Sequence, residues 1–310
     1  SLSGMTGPKK AEPFLDRDVR EAENFRLRQR ERVTGTHELL PIRRPHIPAR
    51  PRKRSHLVVG DAHAHPDESN FRFQALGNFI AHHSSEIDHV ILMGDFSDLA
   101  CLLGYESGMK GPLFDGRRYW QDVDCGVDAM QRAVEPLKGK RKRPKLWGLE
   151  GNHENRVSRL LEVEPRWRGV IGYPGDFLLE ELGVEHVPFL ETVTIDGIQY
   201  CHYWKQPGSQ RALSSETLGR AAILKYPSSQ SRVCGHSHRL EVYEAAGTAD
   251  NRKISSLVAG CYFDPASSSH RWARTDVHRW RAGLLWLEVE DEQIAGFRWW
   301  DFWDILRGWG

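Results

Sequence analysis

The chain has 310 residues, of which 39% are hydrophobic and 27% are charged, and its formal net charge is +1. This length allows a sizeable buried core in one or two domains, and the composition is typical of a globular protein. A net charge so close to zero does not by itself indicate a polyanionic partner. The longest apolar runs are far shorter than the roughly 20 residues of a membrane-spanning helix, so we expect no membrane association.

Two further features bear on the compartment. The five cysteines are odd in number and include no Cys-x-x-Cys pair, which argues against a disulfide framework or a thiolate zinc site. The N-terminal residues are charged and lack the apolar core of a secretion signal. Both observations favour a cytoplasmic location.

Residues 1–54 differ in composition from the rest of the chain and are interpreted as a charged, proline-rich extension. The segment 16–32 is densely charged and predicts an exposed helix, and residues 41–51 carry prolines and arginines. One interpretation is an arm packed loosely on the domain. The other is a contact with a phosphate backbone or with another subunit.

From Ser55 onwards, apolar strand patterns alternate with helical ones. Strands are predicted at 57–60, 89–93 and 145–149, and helices at 71–83 and 122–137. Strands that alternate with helices in this way are typical of a parallel sheet in an α/β protein.

The second half of the chain predicts a second sheet, mixed or antiparallel. Its first two strands, 190–195 and 198–203, are separated by the turn Asp196-Gly197, a strong hairpin signal. Further strands are predicted at 233–235, 242–245, 255–259 and 284–289. We therefore predict an α/β fold, a two-sheet β-sandwich flanked by helices, over residues 55–295. Residues 296–310 are predicted to be a tryptophan-rich tail packed on this domain.

Polar side chains follow the predicted strands at the points where the strands stop. They are Asp61 and His63, Asp95 and Asp98, Asn152 and His153, His202, and His236 and His238. In open α/β sheets, sites form beyond the carboxyl ends of the strands, so we expect these groups to share one crevice.

Carboxylate, amide and imidazole groups together suit divalent ions such as Mn²⁺, Fe or Zn²⁺. The sequence offers more such groups than one tetrahedral ion needs, so two metal ions are the more economical interpretation. Asp95 follows the middle strand and is best placed to bridge them. We expect Mn²⁺ first, with Fe, Zn²⁺ or Ni²⁺ as alternatives.

Taken in order, the motifs GDAH, GDFSD, GNHE, His202 and GHSH resemble the motif series of the calcineurin-like metallophosphoesterases. The resemblance covers roughly residues 57–242. It implies a β-sandwich flanked by helices and the hydrolysis of phosphate esters by a hydroxide that bridges two metal ions.

The resemblance also implies roles for individual residues. One ion would be held by Asp61, His63, Asp95 and His238, and the other by Asp95, Asn152, His202 and His236. By the same resemblance, His153 faces the substrate and assists the leaving group, and Asp98 orients His153.

The sequence departs from the phosphoprotein phosphatases of that superfamily. They continue GDxxD with Arg-Gly, whereas Leu99 and Ala100 follow Asp98 here. The GHSH motif is similar to that of the phosphodiesterase and nuclease branches. A phosphodiesterase acting on nucleic acid or nucleotides is therefore favoured. The alternatives are a phosphomonoesterase acting on a nucleotide, phosphoprotein or small metabolite, and a catalytically inactive scaffold that binds a partner.

Candidate substrate contacts are fewer. Arg156, just after GNHE, is either a phosphate contact or a surface arginine, and His65 is either a site residue or an exposed loop histidine. The basic runs 50–54 and 138–145 could bind a polyanion or could be solvated loops. The C-terminal tryptophans could pack, stack on bases or form a dimer contact. The sequence does not indicate an oligomeric state.

Overall fold

The computed structural model describes residues 14–34, 53–102, 118–246, 253–267 and 277–310, with side chains of the first segment from Val19. Its α-helices are α1 (Phe14–Thr34), α2 (Phe71–His82), α3 (Tyr119–Val134), α4 (Asn155–Val163), α5 (Leu218–Lys225) and α6 (Phe302–Trp309). Its strands are β1 (Arg54–Val59), β2 (His89–Leu92), β3 (Lys145–Leu149), β4 (Val184–Val187), β5 (Val193–Ile195), β6 (Ile198–Tyr200), β7 (Arg232–Cys234), β8 (Leu240–Ala246), β9 (Lys253–Ala259), β10 (Gly283–Glu290) and β11 (Gln293–Asp301).

The strands form two sheets with helices on their outer sides. The first sheet has the order β11-β10-β1-β2-β3-β4, and the second has the order β5-β6-β7-β9-β8. In the first, β1 to β4 are parallel to one another and β10 runs antiparallel to β1. The second is mixed, with β6, β7 and β9 parallel. The class predicted from the sequence, α/β with two sheets flanked by helices, agrees with this architecture.

The core is layered, because successive side chains of a strand point to opposite faces. In β1, Leu57 and Val59 face one hydrophobic cluster, which fills the space between the first sheet and helices such as α2 and α3. Val58, between them, faces a second cluster that lies between the two sheets. A strand buried on both faces requires the continuous apolar run seen in the sequence. A third cluster, which includes Leu218 of α5, lies on the outer face of the second sheet.

Helix α1 is anchored to the domain by a buried alanine and by an ion-paired arginine. Ala22 is 0% exposed and belongs to the core. Arg26 forms an ion pair with Asp176 at 2.7 Å and donates hydrogen bonds to two backbone carbonyls. The predicted charged helix is thus present and docked, while residues 1–13 and 35–52 of the extension lie outside the described residues.

The C-terminal segment belongs partly to the first sheet. The boundary expected at residue 295 falls inside β11, which pairs with β10. Helix α6 then packs on α2, with the Trp309 ring 4.8 Å from the Phe79 ring. Trp286 is 2% exposed in the core, whereas Trp303 is 48% exposed. Every helix in the described part of the chain is too short or too polar to span a lipid bilayer.

Candidate metal centre

The strand topology gathers the polar motifs at one end of the molecule. Strands β1, β2 and β3 are parallel neighbours in the first sheet, and β6 and β7 are parallel neighbours in the second. The five loops that follow them therefore leave at the carboxyl ends of the strands. The site that they form is called the metal centre below, and its nine side chains are those of Asp61, His63, Asp95, Asp98, Asn152, His153, His202, His236 and His238.

Asp61 and two histidines form one half of the metal centre. Asp61 is 0% exposed, and its Oδ1 accepts a hydrogen bond from the backbone N–H of His236 at 2.8 Å. Its Oδ2 lies 3.1 Å from His238 Nε2. His238 Nε2 in turn lies 3.2 Å from His63 Nε2. At that distance at most one of the two imidazole nitrogens carries a proton. When neither carries one, both can direct their lone pairs at the same cation.

The other half presents three acceptor atoms to one another. His202 Nδ1 donates to the carbonyl oxygen of Met93 at 2.7 Å, which leaves the lone pair of the neutral ring on Nε2. That Nε2 lies 3.1 Å from Asn152 Oδ1 and 3.4 Å from Asp95 Oδ2. Three acceptors in contact repel one another unless a proton or a cation lies among them. Such a donor set fits a bound divalent ion.

Groups of ligand atoms close enough to hold a metal ion can be identified around these contacts. One comprises Asp61, Asp95, His202 and His236; another comprises Asp61, His63 and His238; a third comprises His63, Asp95 and His153. Asp61, His63 and Asp95 each belong to two groups, so the three groups adjoin one another. The Nδ1 atom of His236 is buried and has no hydrogen-bond partner among the described residues, which also fits a missing ligand bond. These buried groups could therefore hold a metal ion.

The electrostatics of the centre are set by Asp95. Burial acts to raise the pKa of Asp95, but the charges of His153 and His202 outweigh it and hold this pKa well below its usual range. For His202, burial acts to lower the pKa, but the charge and the hydrogen bond of Asp95, together with the charge of Asp61, outweigh it and raise the pKa to about 9. Burial and then the charge of His202 lower the pKa of His236 to about 4. Without a metal ion, these shifts favour a proton on His202 and oppose one on His236, so the proton on His202 offsets part of the carboxylate charge.

His153 sits at the edge of the centre with a proton held in place. Its Nδ1 donates to the backbone carbonyl of Asp98 at 2.7 Å, and its side chain is 12% exposed. The Asp98 carboxylate lies 3.2 Å from the same nitrogen and 3.0 Å from His63 Nδ1. Burial acts to lower the pKa of His153, but the charges of Asp95 and Asp98 and the hydrogen bond with Asp98 together outweigh it and raise this pKa.

The two candidate substrate contacts lie beside Asp98 and are buried. Arg156 is 4% exposed, and its Nη1 donates to the Asp98 carbonyl at 2.8 Å, so it is not a surface arginine. His65 is also 4% exposed, with Nε2 3.9 Å from Asp98 Oδ2 and Nδ1 accepting from the backbone N–H of Asp67. Both side chains thus contact the loop that carries Asp98.

Several residues without a role in the sequence analysis support the centre. Glu154 is 1% exposed and accepts hydrogen bonds from the backbone N–H groups of Asp95 and Gly151 through Oε2, and of Ser97 through Oε1. Arg72 donates to the carbonyls of Ala62 and His63.

Phe263 also reaches the centre, with its ring 5.4 Å from His63 and 5.2 Å from His238. It follows β9, which ends at Ala259 and is followed by Gly260, just as Gly60 follows β1 and Gly235 follows β7. That strand-end pattern was the available sequence signal for this segment.

Two glycines permit the close approach of loop and carboxylate. A Cβ atom at Gly151 would lie 2.1 Å from Asp95 Oδ1, and one at Gly235 would lie 2.5 Å from Asp61 Oδ1. Neither contact is possible between non-bonded atoms, so the carboxylates can occupy these positions only beside glycine.

A second histidine group lies at the opposite, amino ends of the strands. His56 and His89 both direct Nε2 at Asp196 Oδ2, at 3.0 and 3.3 Å. The His89 Nδ1 accepts from the indole N–H of Trp147, a group that can only donate, so the His89 proton lies on Nε2. The remaining nitrogen of His56 contacts the Tyr200 hydroxyl at 2.6 Å. Hydrogen bonds thus account for all four ring nitrogens without a metal ion.

Comparison with known proteins adds no family assignment. No protein-family model matches this chain, and a search of curated proteins finds no significant match.

Proposed function

We propose that this protein is a metal-dependent phosphoesterase of the calcineurin-like type, acting on phosphodiesters. The observation that carries the proposal is the set of buried acceptor atoms that converge from five strand ends. Asp95 Oδ2, Asn152 Oδ1 and His202 Nε2 face one another, and His63 Nε2 faces His238 Nε2. Such a set is stable when cations satisfy it, and a scaffold protein has no need of it.

The metal ligands follow from these contacts and from the motif resemblance. One ion would be held by Asp61, His63, Asp95 and His238, and the other by Asp95, Asn152, His202 and His236. Bound divalent ions at this position would activate water and neutralise charge on a phosphate group. Mn²⁺ is the ion that we expect first, with Fe, Zn²⁺ or Ni²⁺ as alternatives.

His153 is placed to handle the proton of the leaving group. Its Nδ1 proton is committed to the Asp98 carbonyl, so its Nε2 is the atom that can deliver a proton to a departing oxygen. The Asp95 charge favours the protonated ring, because it raises the pKa of His153 against the effect of burial. Asp98 and Arg156 hold the ring and its loop in orientation.

The residues around Asp98 favour a diester substrate over a monoester. A phosphate monoester carries more negative charge and is commonly gripped by an arginine; the position after Asp98 holds Leu99, which is 0% exposed. Arg156 does not replace that arginine here, because its Nη1 donates a hydrogen bond to the backbone carbonyl of Asp98. The alternative is a phosphomonoesterase, and the hydrolysis assay described below separates the two activities.

The basic runs favour a nucleotide over a long nucleic acid. Lys142 pairs with Asp88 and Lys145 with Glu185, at the amino end of β3. Of the other run, Lys53 and Arg54 are described, at the amino end of β1. The metal centre lies at the carboxyl ends, about 17 Å away along strands of this length.

The test compares hydrolysis of bis-p-nitrophenyl phosphate and p-nitrophenyl phosphate in Mn²⁺. We expect faster turnover of the diester. His153→Ala should retain metal and lose about 100- to 10,000-fold in kcat, whereas Asp95→Ala should lose metal. His82→Ala, an exposed histidine of α2, is the control. An unchanged rate in metal-loaded His153→Ala would contradict the assignment of His153. Absence of turnover with metal bound would favour a scaffold.

A further inference from the structure

A cavity of about 550 Å³ lies beside the GHSH loop, next to the metal centre. Its volume is in the range of small-molecule sites. Its lining includes His236 and His238 of the metal centre together with Tyr203, Trp204, Leu213 and Trp280. A substrate whose phosphate lay at the metal centre could therefore place one of its ester groups in this cavity.

Two aromatic side chains of the lining contact imidazoles of the metal centre. The Trp280 ring lies 4.4 Å from His238, and the Tyr203 ring lies 4.8 Å from His236. Both aromatic residues are half-buried. They offer aromatic surface to a planar group, and stacking of this kind is a main source of affinity for nucleobases.

Two polar atoms of the lining lack partners. Trp204 is 9% exposed, and its indole N–H has no hydrogen-bond partner among the described residues. The buried Ser237 hydroxyl likewise has none within the described part of the chain. A buried polar group without a partner is costly, and an indole N–H can only donate. A ligand with acceptor atoms would satisfy it.

The charge of the lining argues against a second phosphate group. The two arginines of the cavity, Arg239 and Arg279, form ion pairs with Glu241 at 3.3 Å and with Glu216 at 3.1 Å. Their positive charges are therefore balanced by neighbouring carboxylates. The cavity suits an uncharged planar group that carries acceptors rather than a second anion.

We propose that this cavity binds the nucleobase of a small nucleotide diester whose phosphate lies at the metal centre. This inference rests on the proposed function, which places the phosphate at the metal centre. It goes beyond that function by naming the group recognised and the residues that recognise it. Trp280 and Tyr203 provide the stacking surface, and Trp204 and Ser237 provide hydrogen bonds to the base.

The experiment measures binding by calorimetry, so it does not depend on turnover. Adenosine 5′-monophosphate, uridine 5′-monophosphate and ribose 5-phosphate are titrated into the full chain loaded with Mn²⁺. These probes share phosphate and sugar and differ in the base. We expect the nucleotides to bind at least about tenfold more tightly than ribose 5-phosphate. Equal affinities would overturn the proposal.

Variants locate the base. Trp280→Ala should reduce nucleotide affinity to that of ribose 5-phosphate. Trp204→Phe keeps a ring and removes only the unpartnered donor, so it should fold and weaken nucleotide binding by about tenfold. Trp303→Ala, which removes an exposed ring of α6, is the control. A full preference for nucleotides in folded Trp280→Ala and Trp204→Phe would overturn the proposal.

The outcome is separable from that of the proposed function. Hydrolysis of bis-p-nitrophenyl phosphate without a preference for nucleotides would leave the phosphoesterase standing and remove the nucleobase site. A preference for nucleotides without hydrolysis of either nitrophenyl ester would keep the nucleobase site and remove the proposed reaction.

Discussion

Four residues of the metal centre adopt a backbone conformation that L-amino acids rarely use. His63, Asp95, His236 and His238 have φ angles of 46°, 49°, 67° and 60°. Each left-handed residue of this kind costs about 1–3 kcal/mol and persists only where its surroundings enforce it. The hydrogen bonds from His63 N to the Asp95 carbonyl and from His236 N to Asp61 supply part of that enforcement. Left-handed residues held in place by such contacts are found frequently at functional sites.

Among the residues without a chemical role, we expect Glu154 to contribute most to the stability of the metal centre. Glu154→Gln replaces one carboxylate oxygen by an NH₂ group that faces backbone N–H donors. We predict a loss of about 2 kcal/mol in the free energy of unfolding and weaker Mn²⁺ binding. Urea unfolding and metal titration measure the two effects. Glu162→Gln, at an exposed position of α4, should change neither, and a Glu154→Gln variant as stable as the parent chain would contradict this role.

The raised pKa of His202 predicts a pH-dependent metal affinity. Because the folded-state pKa of about 9 lies above the usual 6.5, the bound proton stabilises the metal-free protein below pH 6.5. This contribution is lost as the pH rises through about 9. A metal ligand must be the neutral ring, so metal binding at pH 7 should release protons, and affinity should increase with pH up to about 9.

Calorimetry of Mn²⁺ binding in two buffers with different protonation enthalpies measures that proton release. Replacing His202 by Asn should reduce the number of protons released, whereas His82→Ala should leave it unchanged. Identical heats in both buffers would show that the histidines bind metal without losing a proton and would contradict the prediction.

At the scale of elements, two of the β-hairpins show how far a turn sequence predicts a hairpin. The turn between β5 and β6 is Asp196-Gly197, with φ of 46° and 82°, and the sequence predicts it because glycine favours such angles. The turn between β10 and β11 is Asp291-Glu292, with φ of 50° and 62°. Glutamate at such a position carries no hairpin signal. The segment after it therefore resembled a tail, although it is an edge strand.

Helix α6 depends on its contact with the core for stability. Ile305 is 0% exposed and belongs to the cluster between the first sheet and its helices, and Phe302 beside it is 2% exposed. We predict that Ile305→Ala lowers the free energy of unfolding by about 2–5 kcal/mol because it leaves a cavity. Urea unfolding is the measurement, and Trp303→Ala, which truncates an exposed ring of the same helix, is the control. Equal free energies of unfolding for Ile305→Ala and the parent chain would mean that α6 is only loosely packed on the core.

At the scale of the whole molecule, the metal centre joins the two sheets. Asp61, His63, Asp95 and Asn152 follow strands of the first sheet, whereas His202, His236 and His238 follow strands of the second. The apolar cluster that includes Val58 and Ile91 lies between the sheets. An ion held from both sides therefore binds the folded arrangement and not the unfolded chain.

This arrangement predicts that metal stabilises the whole fold. Free Mn²⁺ at 100 times its dissociation constant should add about 2.7 kcal/mol to the free energy of unfolding, raising Tm by several degrees. Excess chelator should reverse the shift. Asp95→Asn should lose most of it, whereas Asp304→Asn, at an exposed position of α6, should retain it. A Tm insensitive to Mn²⁺ in the parent chain would contradict this coupling between sheets.

The sequence by itself determined the two-sheet α/β class and the placement of polar residues at strand ends, because both follow from local patterns of apolar and turn residues. It also contained the motif series on which the proposed phosphoesterase activity rests, and that activity remains a proposal. The cavity residues Tyr203 and Trp204 follow a predicted strand, but nothing in their spacing relates them to Trp280. Only the tertiary structure decided that these residues line one cavity beside the GHSH loop, that Arg156 and His65 are buried at Asp98, and that the described residues of the basic runs lie at the other end. The physical reason is that distant segments of the chain become neighbours only through sheet topology, which local patterns do not encode.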